Sequence, residues 1–111
     1  MAILLAPDAA SARPGEVASS RTSGTWPAWS PNGRKIAFTS VSLSGSPGID
    51  VYAMNADGSG QRRLTRNGAQ DSNPTWAPNS RKIVFQSDLS GDFEIWVMRA
   101  DGTAPHQLTR G

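Results

Sequence analysis

The sequence contains no cysteine, and this absence excludes several kinds of site at once. Without thiols the chain has no disulfide, no thiolate-bound metal and no cysteine nucleophile. It also has a single histidine, His106, so a zinc site built from histidines would lack ligands. We therefore predict a surface position for His106 and no metal site.

Motifs of catalysis and of cofactor binding are also absent. The chain has no G-x-S-x-G nucleophile elbow, no H-E-x-x-H pair, no phosphate-cradling loop and no dinucleotide-binding fingerprint. We predict that it is not an enzyme, has no catalytic residues and binds no cofactor.

Long apolar runs are missing as well. No stretch approaches the roughly 20 apolar residues that span a bilayer. Residues 1–6 are too short and lack the basic start of a signal peptide. We predict no membrane insertion, and we expect any secretion signal to lie outside this sequence.

The charge is close to balanced, with 11 basic and 9 acidic side chains and a formal net charge of +2. The basic residues occur singly or in scattered pairs, such as Arg34-Lys35, Arg62-Arg63 and Arg81-Lys82. A nucleic-acid-binding surface needs its basic side chains gathered on one face. The distribution therefore argues against a nucleic-acid partner.

What the sequence does contain is an internal repeat. Residues 29–40, WSPNGRKIAFTS, recur as residues 76–87, WAPNSRKIVFQS, at an offset of 47. Residues 50–58, DVYAMNADG, recur as residues 94–102, EIWVMRADG, at an offset of 44, as does the L-T-R that ends each copy. The change of offset lies in the loop between the middle strands, where stacked repeats tolerate differences in length.

Each copy divides into four short extended segments separated by turns, at about 25–29, 34–40, 49–55 and 61–65 in the first copy. Pro31-Asn32-Gly33 predicts a turn with a positive backbone dihedral at Asn or Gly, and in the second copy, where Ser80 replaces the glycine, we expect Asn79 to take it. Ala-Asp-Gly at 56–58 and 100–102 predicts another hairpin turn. The fold class is therefore all-β, with two four-stranded antiparallel sheets.

These residues resemble the WSPDG-type repeat of the TolB-like propellers, a WD40-like family also called PD40. The family pattern runs P-x-W-S-P-D-G, I-x-F, I-Y-x-M-x-x-D-G and L-T, and both copies match it in register. The sequence departs from the pattern at Asn32 and Asn79, where the family usually has aspartate, and at Ala77 and Ser80. We therefore do not assign to this turn any role that depends on a carboxylate. The first copy matches at Pro27, Trp29, Ser30, Pro31, Gly33, Ile36, Phe38, Tyr52, Met54, Asp57, Gly58, Leu64 and Thr65.

The resemblance implies β-propeller blades that form an incomplete ring in a single chain. We divide the chain into a flexible lead-in at 1–24, a first blade at 25–68 and a second blade at 69–111, with Ile3-Leu4-Leu5 donating an edge strand as an alternative for the lead-in. Propellers typically have four to eight blades. We expect either a fragment of a longer propeller or an association of copies, in which three chains would give a six-bladed ring.

The function that the resemblance implies is a protein-interaction scaffold similar to TolB, which docks peptide and lipoprotein partners in the Tol-Pal system of the bacterial envelope. A protein or peptide partner and a periplasmic or envelope location follow from it. The same repeats occur in propellers of prolyl-oligopeptidase-type peptidases and in sensor regions of membrane regulators, so a fragment of either is an alternative. A self-assembling structural module, a homotrimer without a ligand, is a third reading.

The recurring aromatic residues are predicted to fill the space between the sheets; they are Trp29, Trp76, Tyr52, Trp96, Phe38 and Phe85. Trp26 differs, because its counterpart is Asn73. The first strand of a blade lies nearest the propeller axis, so we predict Trp26, Asp71 and Asn73 as candidates for partner binding. The acidic loop 88–94 holds oxygen ligands that calcium prefers, but its spacing is not that of an EF-hand, and we predict a solvated hairpin there.

Overall fold

The structure, a computed structural model, describes residues 24–42 and 48–111. The predicted lead-in, apart from Gly24, and its alternative edge strand lie outside these ranges. Neither range contains a helix that is long and apolar enough to span a membrane. The strands in them are β1 (Thr25–Trp29), β2 (Lys35–Ser42), β3 (Gly48–Asn55), β4 (Arg62–Arg63), β5 (Asp71–Trp76), β6 (Lys82–Ser87), β7 (Glu94–Arg99) and β8 (His106–Gln107).

The strands form two four-stranded sheets, sheet 1 in the order β1-β2-β3-β4 and sheet 2 in the order β5-β6-β7-β8. Each strand pairs antiparallel with its neighbour in sequence, so each sheet is an open meander. The register repeats as well, because Phe38 pairs with Tyr52 and Phe85 pairs with Trp96. The predicted all-β fold with two four-stranded antiparallel sheets is confirmed.

The turn between the first two strands of each sheet contains one residue with a positive φ. Gly33 takes this conformation in sheet 1 (φ 73°) and Ser80 takes it in sheet 2 (φ 62°), so our prediction of Asn79 is wrong. The side-chain oxygen of Asn79 instead accepts a hydrogen bond from the backbone N–H of Arg81 at 2.9 Å. This bond fixes Asn79 as the residue before the one with the positive φ. The Ser80 hydroxyl accepts a bond from the N–H of Asn32 at 3.1 Å and so links the two sheets.

The Ala-Asp-Gly turns are built alike in both sheets. Gly58 and Gly102 both have a φ of 89°, as the sequence predicts. One oxygen of Asp57 accepts bonds from the hydroxyl and the backbone N–H of Ser59, at 2.6 and 2.9 Å, and Asp101 is bonded in the same way by the residue two positions on. These bonds hold the pKa of both carboxyls below its usual value. The turns are therefore fixed by local chemistry.

The core lies between the two sheets. Side chains alternate across a strand, so the second and third strands of each sheet turn every other residue toward the neighbour. Sheet 1 contributes mainly small residues and sheet 2 larger ones, an arrangement that lets the layers interdigitate. The buried cluster is Ala37, Val51, Ala53 and Leu64 from sheet 1 with Trp76, Ile83, Phe85 and Met98 from sheet 2.

The predicted aromatic core forms only in part. Trp76, Phe38 and Phe85 are buried, whereas Tyr52 and Trp96 are half-buried. Trp29 is 60% exposed, against 9% for its counterpart Trp76, so placing Trp29 in the core is wrong. The reason is that Trp29 lies on the side of sheet 1 that faces away from sheet 2, where no described strand covers it.

The two sheets are arranged as a wedge. β1 of sheet 1 contacts β5 of sheet 2, whereas β4 and β8 make no contact with each other among the described strands. The edge formed by β1 and β5 is therefore the inner edge of a curved array, and further sheets added with the same geometry would surround an axis on that side. We call it the axial edge.

Gly102 offers a test of how closely the sheets pack. A Cβ at Gly102 would lie 2.7 Å from the carbonyl oxygen of Leu64, whereas a Cβ at Gly58 would meet nothing within 4 Å. Both positions have a positive φ that costs an L-residue about 1–2 kcal/mol. We expect Gly102→Ala to lower the free energy of unfolding by more than Gly58→Ala, measured by urea denaturation. Equal losses would contradict the close approach of the Gly102 turn to sheet 1.

Candidate partner-binding site

The axial edge carries an unusual backbone conformation at two equivalent positions. Trp26 in β1 has a φ of 50° and Asn73 in β5 has a φ of 56°. Each lies where the pairing with the second strand shifts register, between Thr25 and Ala28 in sheet 1 and between Ser72 and Thr75 in sheet 2. Both inner strands therefore contain a bulge, and bulges redirect side chains away from the regular alternation.

The bulges bring both side chains to the surface. Trp26 is 58% exposed and Asn73 is also exposed. Asparagine adopts a positive φ readily, but for a bulky residue such as tryptophan this conformation is an outlier that stores strain of about 1–3 kcal/mol. The indole of Trp26 and the amide of Asn73, on the contacting strands β1 and β5, offer an exposed apolar surface and an exposed hydrogen-bonding group. We call Trp26 and Asn73 the axial pair.

Asp71, the third predicted site residue, has a fully buried side chain. The structure therefore brings Trp26 and Asn73 to the axial surface but not Asp71. Burial raises the pKa of its carboxyl, although side chains of Ser87, Thr65 and Asn67 nearby favour the charged form. Neither carboxylate oxygen has a neighbour in the geometry of a direct hydrogen bond within the described residues, so desolvation prevails.

A second buried carboxylate, which our sequence analysis did not single out, lies next to Asp71. Asp50 forms an ion pair with Arg63 at 2.9 Å between Oδ2 and Nη2, with both side chains buried. The hydroxyl of Thr65 donates to Asp50 Oδ1 at 3.0 Å and accepts from the backbone N–H of Val51 at 3.1 Å. Burial still raises the pKa of Asp50, although Thr65 and Arg63 oppose it and Asp71 adds to it. We call Asp50, Arg63 and Thr65 the buried ion cluster.

The signal for this cluster was present in the repeat. Glu94 and Thr109 are the counterparts of Asp50 and Thr65, and they form the same bonds in sheet 2. Thr109 donates to Glu94 Oε1 at 2.6 Å and accepts from the backbone N–H of Ile95 at 2.9 Å. Bonds from Gly111 N–H and Thr109 hold the pKa of Glu94 below its usual value. The acid–threonine pair thus joins the third strand to the residues after the fourth in both sheets.

The acidic loop at 88–94 is a hydrogen-bonded turn. The N–H of Gly91 donates to the carbonyl of Asp88 at 2.9 Å, and Asp88 Oδ1 accepts from the N–H of Gln70 at 2.8 Å. Asp88 thereby helps to fix the segment that leads into β5. In the described ranges no three acidic or histidine side chains come together as a metal site. His106 lies on β8 and is exposed, as the sequence predicts.

The buried carboxylates have a consequence for stability. Because the pKa of Asp71 is raised in the folded chain, the folded state holds its proton more tightly than the unfolded state does. Stability therefore falls as the pH rises from the ordinary value of 3.8 through the raised pKa. We expect the unfolding free energy of Asp71→Asn, relative to the unsubstituted chain, to increase with pH in that window, by at most about 1.4 kcal/mol per pH unit.

The measurement is urea denaturation of both chains at several pH values. Asp57→Asn is the matched control, because the pKa of Asp57 is lowered and its carboxyl is exposed. A difference between Asp71→Asn and the unsubstituted chain that stays constant or falls with pH would show that the Asp71 carboxyl is not destabilised by burial.

Two consecutive four-stranded meanders, packed face to face with their first strands together and their last strands apart, are adjacent blades of a β-propeller. The blade type follows from the family comparison, in which the model described as the TolB beta propeller domain, PD40, matches residues 3–111. The chain belongs to the PD40 family of TolB β-propeller domains.

Solved structures of TolB proteins are similar to the chain. A putative TolB from Agrobacterium tumefaciens has 27% identity and a TM-score of 0.73, and the match covers 84% of this chain and 32% of that one. TolB from Acinetobacter baumannii has 26% identity and a TM-score of 0.66, with 80% of this chain and 21% of that one covered. The chain thus spans a third or less of the TolB chains that it matches.

Two further structures share the fold alone. A nidogen/laminin complex matches with 19% identity, a TM-score of 0.63 and coverage of 84% of this chain and 34% of that one. The β-propeller domain of the Trilobed protease from Pyrococcus furiosus matches with 16% identity and a TM-score of 0.55, over 78% of this chain and 29% of that one. No curated protein matches the chain significantly. TolB-like propellers are generally non-catalytic, although propellers also occur in proteases.

Proposed function

We propose that the chain is a non-catalytic protein-binding scaffold that holds a peptide or protein partner at the axial edge. The observation that carries this proposal is the exposed, strained Trp26 on β1, with the equivalent exposed Asn73 on the contacting strand β5. Backbone strain persists only where the surrounding structure enforces it, and it concentrates at functional sites. An exposed tryptophan that the core does not need is a suitable anchor for a partner.

The strands that carry the axial pair are held in place by hydrogen bonds. β1 and β5 are each hydrogen-bonded to the second strand of their sheet, and the indole N–H of Trp76 donates to the carbonyl of Ala28 at 2.9 Å across the two sheets. Asp71 is the first residue of β5, and its side chain is buried. Its part in the proposed site is therefore to position Asn73, not to contact the partner. A fixed surface of this kind binds with little loss of conformational entropy.

We take the partner class from the family. The resemblance to TolB implies a peptide or a lipoprotein of the bacterial envelope as the partner, and hence a periplasmic location. A propeller is also present in a solved complex between two proteins, nidogen and laminin. A peptidase-propeller fragment and a sensor region stay alternative predictions, which a serine-hydrolase domain or a membrane-spanning domain in the same protein would favour.

The experiment is selection from a displayed peptide library on the immobilised chain. We expect peptides to be enriched whose binding to Trp26→Ala is at least about 30-fold weaker, as for the loss of a hot-spot tryptophan. Asn73→Ala should weaken the same peptides to a smaller extent. The matched control is Phe93→Ala, which removes an aromatic ring of similar exposure (56%) away from the axial edge.

Two outcomes would contradict the proposal. One is a library from which no peptide is enriched over the bare surface. The other is a set of peptides that bind Trp26→Ala as tightly as the unsubstituted chain but lose affinity for Phe93→Ala, which would place the binding surface on the loop before β7.

A further inference from the structure

Two surfaces of the chain are the repeat counterparts of surfaces that already contact each other inside it. The Trp29 face is the side of sheet 1 turned away from sheet 2, and it includes Trp29 and the Asp57–Gly58 turn. The Leu108 face is the side of sheet 2 turned away from sheet 1, and it includes the Thr75 carbonyl, Ile95 and Leu108. We propose that these two faces bind each other between copies of the chain, head to tail, so that each junction repeats the contact of sheet 1 with sheet 2.

The first support is the pair of tryptophans. Trp76 of sheet 2 packs into the internal core, and its indole N–H bonds to the Ala28 carbonyl of sheet 1. The counterparts of these groups are Trp29 and Thr75. Trp29 is exposed, and in a head-to-tail contact its indole N–H would meet the Thr75 carbonyl of the preceding copy. The same indole would then be buried and bonded as that of Trp76 is.

The second support comes from the outer part of the interface. Leu64 is 8% exposed because the Gly102 turn of sheet 2 covers it, whereas its counterpart Leu108 is 52% exposed. The turn that corresponds to Gly102 is Gly58, and a Cβ there would meet nothing within 4 Å. The Leu108 side chain and the Gly58 turn are therefore both uncovered among the described residues. A head-to-tail neighbour would place its Gly58 turn on Leu108.

The third support is polar. In sheet 1, both members of the acid–threonine pair of Asp50 and Thr65 are buried. The counterpart pair of Glu94 and Thr109 has the same bonds but is less buried. The backbone of sheet 2 beside Leu108 is thus already held by the bonds that hold the equivalent backbone of sheet 1, so little reorganisation is needed on binding.

The junction between copies should be weaker than the internal one. The internal contact includes a bond from Asn32 N–H to the hydroxyl of Ser80. The counterpart of Ser80 is Gly33, which has no hydroxyl, so the corresponding bond is lost. Assembly should therefore depend on concentration.

This inference does not rest on the proposed peptide site. Trp26 and Trp29 lie on the same strand and are similarly exposed, at 58% and 60%. The counterpart of Trp26, Asn73, stays exposed in the internal contact, so Trp26 is not needed for assembly. Trp26→Ala should leave assembly intact and Trp29→Ala should leave peptide binding intact, which separates a failure of one proposal from a failure of the other.

The experiment is light scattering coupled to size exclusion, over concentrations from low micromolar to near millimolar. We expect the unsubstituted chain to form a discrete oligomer, with the trimer as the stoichiometry that closes a six-bladed ring. Trp29→Ala should raise the dissociation constant by roughly 30-fold or more, the size expected for a buried tryptophan anchor. Leu108→Asp, on the opposite face, should do the same, and Trp26→Ala is the matched control.

The decisive step is to mix the two defective variants. In a head-to-tail contact, Trp29→Ala retains an intact Leu108 face and Leu108→Asp retains an intact Trp29 face, so the mixture should form a one-to-one dimer that neither variant forms alone. A chain that stays monomeric at every concentration would overturn the proposal. So would an oligomer that Trp29→Ala leaves unchanged, or a mixture that shows no heterodimer.

Placement of the neighbour is tested by cross-linking, since the chain has no cysteine of its own. Arg62 and Asp101 meet inside the chain, with Arg62 Nη2 3.2 Å from the Asp101 carbonyl. Their counterparts are His106 and Asp57. A short bismaleimide should join Asp57→Cys chains to His106→Cys chains in a mixture, and Arg62→Cys/Asp101→Cys should cross-link within one chain as a positive control. Cross-linking of the control without cross-linking of the mixture would contradict the head-to-tail geometry.

Discussion

Replacing Trp76 with alanine is expected to lower the free energy of unfolding by about 3–5 kcal/mol. Trp76 packs against residues of both sheets, and its indole N–H bonds to the Ala28 carbonyl of the other sheet. The substitution removes a large apolar surface from the shared core and leaves that carbonyl without its donor. The loss amounts to a large part of the stability of a small domain, and urea denaturation followed by far-UV circular dichroism measures it.

Trp29→Ala is the matched control, because Trp29 occupies the equivalent position of the other repeat and is mostly exposed. At concentrations below any assembly it should change the free energy of unfolding by no more than about 0.5 kcal/mol. Losses of equal size for the two variants would mean that Trp29 is buried in solution. An unaltered midpoint for Trp76→Ala would contradict the core itself.

Replacing Arg63 with methionine is expected to cost about 3–5 kcal/mol at neutral pH. Asp50 is fully buried, and Arg63 supplies the charge opposite it at 2.9 Å. Removing the arginine leaves a buried carboxylate whose remaining bond is from the Thr65 hydroxyl and whose neighbour Asp71 is also acidic. The midpoint of urea denaturation should fall accordingly.

The loss should be smaller in acid. The pKa of Asp50 is already raised by burial, and removal of Arg63 raises it further. A group with a raised pKa stabilises the folded state below its ordinary pKa and loses that contribution as the pH rises. The deficit of Arg63→Met should therefore shrink toward low pH. The control is Arg62→Met, which removes an exposed neighbouring arginine and should have little effect. A loss of stability in Arg63→Met that is independent of pH would exclude an unpaired Asp50 as its cause.

The sequence was sufficient to predict the fold because the repeat occurs twice in register. The strand boundaries follow the turn residues, and Gly33, Gly58 and Gly102 have the positive φ that their turns require. The prediction for Asn79 was wrong because its side chain accepts a hydrogen bond from the backbone N–H of Arg81, and the residue that then takes the left-handed conformation is Ser80. The positive φ therefore occurs at the same position of the turn in both sheets, whether that position holds Gly33 or Ser80.

Burial was harder to predict than strand order. Trp29 and Trp76 are the same residue in the same motif, yet one is exposed and the other is buried. The difference depends on which side of each sheet receives a neighbour, and a repeat read along the chain does not contain that information. Asp71 was placed at the surface for a similar reason, since its position near the axis was predictable but the direction of its side chain was not.

The buried ion cluster was missed because its members lie far apart in the sequence. Asp50 and Thr65 are brought together by the pairing of β3 with β4, and Asp71 joins them through a parallel bridge between Ile49 and Gln70. The recurrence of an acid and a threonine at the same offset in both copies was the available signal.

The central claim is that the two sheets are propeller blades that share one core and unfold as one unit. Hydrogen–deuterium exchange by mass spectrometry, at increasing concentrations of urea, tests it most directly. Peptides from β2 and β3 and peptides from β6 and β7 are expected to lose protection together, with the same dependence on urea. Loss of protection in one sheet while the other keeps it would contradict the shared core.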